Sequence, residues 1–210
     1  MYNILELFGI AAFAVSGAFV GVKKRLDILG ILVLAIVTAC GGGLIRDIVL
    51  NKTIPVFFYT PEYLLTTIVV TAVVCLWRPN LKQRKKYNIV LLLFDAIGLG
   101  VFSILAAYSA MEHNMPYIGI VFLGCISGCG GGMLRDILVR EIPVVLKKEV
   151  YLAASIIGII YLIIFKNIIE EQLLLISSIC IIVIVRMLTL IFNIEIPKIS
   201  MRKNKTEEEK

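Results

Sequence analysis

Seven blocks of apolar residues account for most of the chain. They cover residues 4–22, 28–50, 63–77, 89–111, 117–139, 150–165 and 173–192. A stretch of ~20 apolar residues spans the ~30 Å hydrocarbon core of a bilayer. The third and sixth blocks are shorter and need tilt or local thinning of the bilayer. The pattern therefore predicts an all-α polytopic membrane protein with seven transmembrane helices.

The polar connections set an orientation. Lys23, Lys24 and Arg25 follow the first block. Arg78, Lys82, Arg84, Lys85 and Lys86 follow the third, and Arg140, Lys147 and Lys148 the fifth. Lys198, Arg202, Lys203, Lys205 and Lys210 lie in the tail, read as solvated and disordered. The alternate connections carry only Lys52 and Lys166. Basic loops stay in the cytoplasm, so the N-terminus is expected outside and the C-terminus inside. With Glu6 in the first block and no basic start, that block reads as a retained helix rather than a signal peptide.

Two stretches match each other. Gly41-Gly42-Gly43-Leu44-Ile45-Arg46-Asp47 returns 89 residues later as Gly130-Gly131-Gly132-Met133-Leu134-Arg135-Asp136. At the same offset Glu6 meets Asp95, Phe13 meets Phe102, Thr38 meets Ser127 and Cys40 meets Cys129. One residue is then lost in the second copy, and at an offset of 88 Ile54-Pro55-Val56 meets Ile142-Pro143-Val144 and Tyr63 meets Tyr151. Each copy holds three apolar blocks, an odd number, so the second enters the membrane from the opposite face. The predicted divisions are a first repeat over 1–80, an inverted second over 81–168, a seventh helix over 169–194 and a charged tail over 195–210. Transporters built from inverted repeats hold their solutes near the midplane on interrupted helices.

Composition agrees with the pattern. Of 210 residues, 60% are hydrophobic and 17% charged, with a mean hydropathy of +0.96; soluble domains carry about 25% charge. The net charge of +6 lies in the loops, and the cluster at Lys82, Arg84, Lys85 and Lys86 lacks the aromatic face of a nucleic-acid binder. Five scattered cysteines and the lone His113 indicate packing residues rather than a metal or disulfide framework. No cofactor fingerprint or nucleophile–base pair appears, which leaves an intramembrane enzyme or a structural assembly protein little support.

The glycine triplets followed by Arg–Asp are the candidate site. Three glycines weaken a helix by ~1 kcal/mol each relative to alanine, and breaks are expected at Gly41, Gly42, Gly43 and at Gly130, Gly131, Gly132. The half-helices after them would present free N–H groups and a partial positive charge, reinforced by Arg46 and Arg135, to a solute carboxylate. Carbonyls at the breaks would equally suit a cation. Close helix packing explains glycines alone, but ionisable groups at this depth are costly and favour function. Neighbours on a helix point ~100° apart, so Arg46 and Asp47, like Arg135 and Asp136, are expected to need other partners. Glu6–Arg46 and Asp95–Arg135 are the expected pairs. Arg186 is expected to snorkel to the inner headgroups, with an acid such as Asp136 as the competing partner. Phe57, Phe58, Tyr59, Tyr63 and Tyr151 read as interfacial anchors.

The doubled GGGxxRD, the opening acids and the seven-helix layout resemble the bacterial glycine-transporter-domain family, related to the trimeric intracellular cation (TRIC) channels. The resemblance spans residues 1–192. It implies a multi-pass protein of the bacterial inner membrane and a homotrimer with one path inside each subunit. That path would be lined by the second and fifth helices, bent at their glycine triplets. The implied activity is transport of a small solute, glycine first, with a potassium-permeable channel as the alternative. No TVGYG filter is present, and no lysine precedes the glycines as in the animal channels.

Overall fold

The computed structural model describes residues 2–77, 84–147 and 150–192, with side chains in the latter two stretches from 89 and 151 onward. The tail from Lys198, the basic cluster at Lys82, Arg84, Lys85 and Lys86, and Lys148 lie outside the described residues or side chains. Among the described residues all regular structure is helical. The helices are α1 (Tyr2–Lys23), α2 (Ile28–Val49), α3 (Pro61–Trp77), α4 (Arg84–Glu112), α5 (Tyr117–Leu138), α6 (Val144–Lys147), α7 (Val150–Phe165) and α8 (Glu171–Ile191). A single 3-10 turn, Val56–Phe58, sits between α2 and α3. α1, α2, α5, α8 and the Ile89–Glu112 stretch of α4 are long and apolar enough to cross a membrane. The apolar parts of α3 and α7 are shorter. The single-turn α6 after Pro143 was not foreseen.

Polarity is distributed as lipid solvation demands. Phe8, Leu76 and Ile118 are among many large apolar side chains on the outside, while Glu6, Arg46, Asp47, Asp95, Arg135, Asp136 and Arg186 are buried. Ionisable groups in membrane segments face the protein interior because lipid offers them no partners.

α1 and α4 run antiparallel in contact. Tyr2 reaches Leu105 and Ser109, Gly9 faces Val101, and Gly98 faces Phe13. α2 packs on α1 and α5 packs on α4; α2 and α5 then meet each other. α3 leans on α1 and α2, α7 on α4 and α5, and α8 against α4 and α7. The turns also match at an offset of 89. Arg25 and Asn114 end α1 and α4 at φ 59° and 53°, and Asn51 and Arg140 follow α2 and α5 at φ 54° and 57°. Each closes a Schellman-type cap, as in Leu26 N donating to Gly21 O and Met115 N donating to Ala110 O.

The expected breaks at the glycine triplets are corrected by the structure: α2 and α5 are helical through Gly41–Gly43 and Gly130–Gly132. The propensity penalty is real, but opening the helix would leave amides and carbonyls unpaired where water is scarce, at several kcal/mol each. Close approach is what the missing side chains provide. A Cβ on Gly41 would lie 3.1 Å from Gly131 Cα, and one on Gly42 only 2.5 Å from the Ser127 carbonyl oxygen. A Cβ on Gly131 would overlap the Thr38 carbonyl oxygen. Ser127 Oγ donates to Gly42 O across the crossing at 2.8 Å. The half-helix N-termini expected as a carboxylate site do not form.

Candidate functional site

The first charge cluster is assembled by α1, α2 and the turn that follows α2. Arg46 lies on the last turns of α2, 1% exposed. Its Nη2 is 2.9 Å from Glu6 Oε1, its Nε donates to Asp47 Oδ1 at 2.8 Å, and its Nη1 donates to Tyr2 Oη at 3.0 Å. Tyr63 on α3 donates its hydroxyl to Glu6 Oε2 at 3.0 Å. Asp47 Oδ2 accepts the Val56 amide at 2.9 Å and so ties the 3-10 turn to α2. Lys52 reaches Asp47 Oδ1 at 3.0 Å from the rim.

The second cluster repeats this with α4, α5 and α6. Arg135 Nη1 donates to Asp95 Oδ1 at 2.6 Å and also to Ser16 Oγ on α1. Its Nε and Nη2 hold Asp136 Oδ1 at 2.9 and 2.8 Å. Asp136 Oδ2 accepts the Val144 amide at 3.0 Å, anchoring α6. Charge-assisted bonds of this kind are the strong ones in a dry interior.

The pairs Glu6–Arg46 and Asp95–Arg135 are thus in direct contact. The expectation that each arginine could not serve its neighbouring aspartate is corrected. The Cα–Cβ directions do diverge, but the long arginine stem curls until Nε meets the carboxylate. Each arginine is consequently committed on several nitrogens and is not a vacant carboxylate receptor.

Two further expectations change. Arg186 does not snorkel: it is 1% exposed, its Cζ stands 4.5 Å from the centre of the Tyr151 ring, and it makes no ion pair with Asp136. Packing of α8 against α4 and α7 turns its side chain inward, over the Tyr151 ring. Tyr63 and Tyr151 are not interfacial anchors but buried members of the clusters, at 3% and 2% exposure, whereas Phe58 and Tyr59 are exposed. The tyrosines' matched places in the two copies were the signal for this. Tyr2 and Ser16 carried no such signal, because their roles depend on helices that meet only in the folded chain.

Each cluster borders a narrow crevice. The first is lined by Glu6, Cys40, Gly43, Arg46, Tyr63 and Phe102, among others. The second is lined by Cys129, Gly132, Arg135, Asp136, Val145 and Tyr151, among others. The first has space for about one water molecule and the second for none. The antiparallel contacts place the level of Glu6 some ten residues along α4 from Asp95, ~15 Å of helix rise. Between those levels lie the α2–α5 crossing and the stacked rings of Phe13 and Phe102, 5.3 Å apart.

Comparisons with known proteins fit this architecture. The profile of the glycine transporter family matches residues 3–79 and again residues 92–167. The UPF0126 inner membrane protein YadS of Escherichia coli (strain K12) is 39% identical over 154 residues, 73% of each chain. A crystal structure of a prokaryotic TRIC channel in 0.5 M KCl superposes with a TM-score of 0.87 at 30% identity, covering 93% of this chain and 98% of that one. The TRIC trimeric intracellular cation channel orthologue from Rhodobacter sphaeroides gives a TM-score of 0.84 at 29% identity, covering 92% and 98%. The chain is therefore a multi-pass membrane protein of the transporter and channel class, and it belongs to the glycine transporter family, on the fold of the TRIC channels.

Proposed function

We propose that the chain moves a small solute, glycine, across the bacterial inner membrane. The path runs through each protomer of a homotrimer, past the clusters on α2 and α5. Seven helices span the bilayer with the N-terminus outside, and residues 1–80 and 81–168 act as inverted halves. The path-lining groups are Gly41, Gly42, Gly43, Arg46, Asp47, Gly130, Gly131, Gly132, Arg135 and Asp136, supported by Glu6 and Asp95.

One observation carries the choice of solute. Each crevice abuts a glycine, Gly43 or Gly132, whose missing side chain leaves room for little more than one carbon beside an acid and an aromatic residue. A Cβ on Gly43 would lie 3.5 Å from Phe102 and 3.6 Å from Glu6 Oε1. One on Gly132 would lie 3.3 Å from Tyr151 Oη and 3.5 Å from Asp95 Oδ1. Once a crevice widens, such a constriction favours a solute without a side chain, its ammonium facing the carboxylates. Gly41, Gly42, Gly130 and Gly131 act differently, by letting α2 and α5 touch and separate the crevices.

A second reading, a potassium-permeable channel, draws on two facts. Each cluster sets two carboxylates against one arginine, and the fold matches that of solved TRIC channels. Both readings are tested on one purified preparation. Saturable glycine counterflow in proteoliposomes, without unitary currents under a potassium gradient, is the expected result. Unitary potassium currents without glycine exchange would replace the first reading by the second.

A further inference from the structure

Arg186 is the buried charge that neither cluster uses. Its Nε and Nη2 are buried with no hydrogen-bond partner. These two nitrogens form one edge of the guanidinium, the fork that donates to both oxygens of a single carboxylate. The same edge is occupied in the other two buried arginines. Arg46 spends it on Asp47 and Glu6, and Arg135 spends it on Asp136. An unpaired buried cation carries a large desolvation penalty, and the face of one tyrosine offsets only part of it. A missing anionic partner accounts for the arrangement.

The neighbourhood states what that partner is. Tyr151, whose ring lies under Arg186, is also a wall of the second crevice. Its hydroxyl and the Asp95 carboxylate face the same space above Gly132. The anion-binding edge of Arg186 and the Asp95 carboxylate both neighbour Tyr151 and offer a pair of opposite charges. The first crevice has no equivalent: Tyr63 gives its hydroxyl to Glu6, and Arg46 stands over Tyr2 instead. α8, which carries Arg186, lies outside the two matched halves.

We infer that the free edge of Arg186 binds the carboxylate of a small amino acid, with the ammonium directed toward Asp95. This rests on the glycine reading and gives it a receptor that Arg46 and Arg135 do not supply. It also makes the path one-sided, with a single such site per protomer, next to the second crevice. Because that crevice is closed to water here, the Tyr151 ring must swing aside to admit the solute.

The test uses the purified full chain in nanodiscs, titrated with glycine, acetate and glycinamide, with binding read by calorimetry. Glycine and acetate are expected to bind and glycinamide, which lacks the carboxylate, is not. Arg186→Lys keeps the charge but loses the fork, and should bind glycine about tenfold to a hundredfold more weakly. Arg186→Gln should abolish acetate binding. Glycine affinity unchanged in Arg186→Lys, or a wild-type protein that binds neither glycine nor acetate, would overturn the inference. The wild-type comparison of the three ligands decides the matter even if a variant misfolds. Acetate binding that depends on Arg186, without glycine counterflow, would uphold the inference and sink the glycine reading. Counterflow that keeps its wild-type KM in Arg186→Lys would do the reverse.

Discussion

Adding one methyl group at Gly42 separates packing from transport. The new Cβ would stand 2.5 Å from the Ser127 carbonyl oxygen and 3.2 Å from the Phe102 ring. The carbonyl belongs to a helix backbone and cannot rotate away, so α2 and α5 must part by roughly 1 Å to restore van der Waals contact. Overpacking of this kind costs about 1–3 kcal/mol. Alanine's better helix propensity returns ~1 kcal/mol, leaving a net loss of about 0–2 kcal/mol. Parting the helices also stretches the Ser127–Gly42 hydrogen bond of 2.8 Å, which pushes the balance toward loss. Gly43→Ala is the internal control. Its Cβ would lie 3.5 Å from its nearest neighbour, the Phe102 ring, so stability should hold or rise while the methyl fills the first crevice and flux falls. Thermal unfolding of the detergent-solubilised protein, followed by size-exclusion chromatography, reads the first effect. Proteoliposome flux reads the second. Equal melting temperatures for Gly42→Ala and Gly43→Ala would refute the packing role assigned to Gly42.

Other expectations follow from the clusters and caps. Arg46→Ala leaves the buried Glu6 without a cationic partner and Asp47 with only Lys52 at the rim, and should destabilise by about 3–5 kcal/mol, a far larger melting shift than Lys52→Ala. Asp136→Ala removes the acceptor of the Val144 amide as well as the Arg135 partner. Faster amide exchange at α6 should reveal it, and normal protection there would count against the anchoring role. Arg140 holds φ 57°, so Arg140→Gly should stabilise by roughly 0.5–1 kcal/mol in a thermal melt. The Lys24–Glu141 bridge at 2.7 Å holds the Glu141 carboxyl below its usual range, chiefly through the hydrogen bond from Lys24. Stability from a depressed carboxyl is present above its unfolded value and is lost as pH falls through the lower folded one. Both partners are substantially exposed, so the contribution is at most ~1 kcal/mol and fades with salt. Melting of wild type and Glu141→Gln should therefore converge on acidification below about pH 4.

The linear pattern of residues was enough to reveal an all-helical membrane protein, two matched stretches and the charges that belong together. Hydropathy reports lipid solvation directly, and an intramembrane Glu6 or Arg46 must find an opposite charge wherever the chain allows. Three features depended on the assembled helices. Glycine propensity alone argued for breaks, but propensity is a local quantity of ~1 kcal/mol per residue. The contact of Gly41 with Gly131, and of Gly42 with Ser127, is made by residues 85 to 90 positions apart. Direction on a helix argued against the Arg46–Asp47 bond, yet a flexible stem reaches where its Cβ does not point. Tyr63, Tyr151 and Arg186 looked like boundary residues because segment ends are where such side chains meet headgroups. Only the packing of α3 on α1, and of α7 and α8 against α4, turned them inward, since burial is a property of neighbours and not of position along the chain.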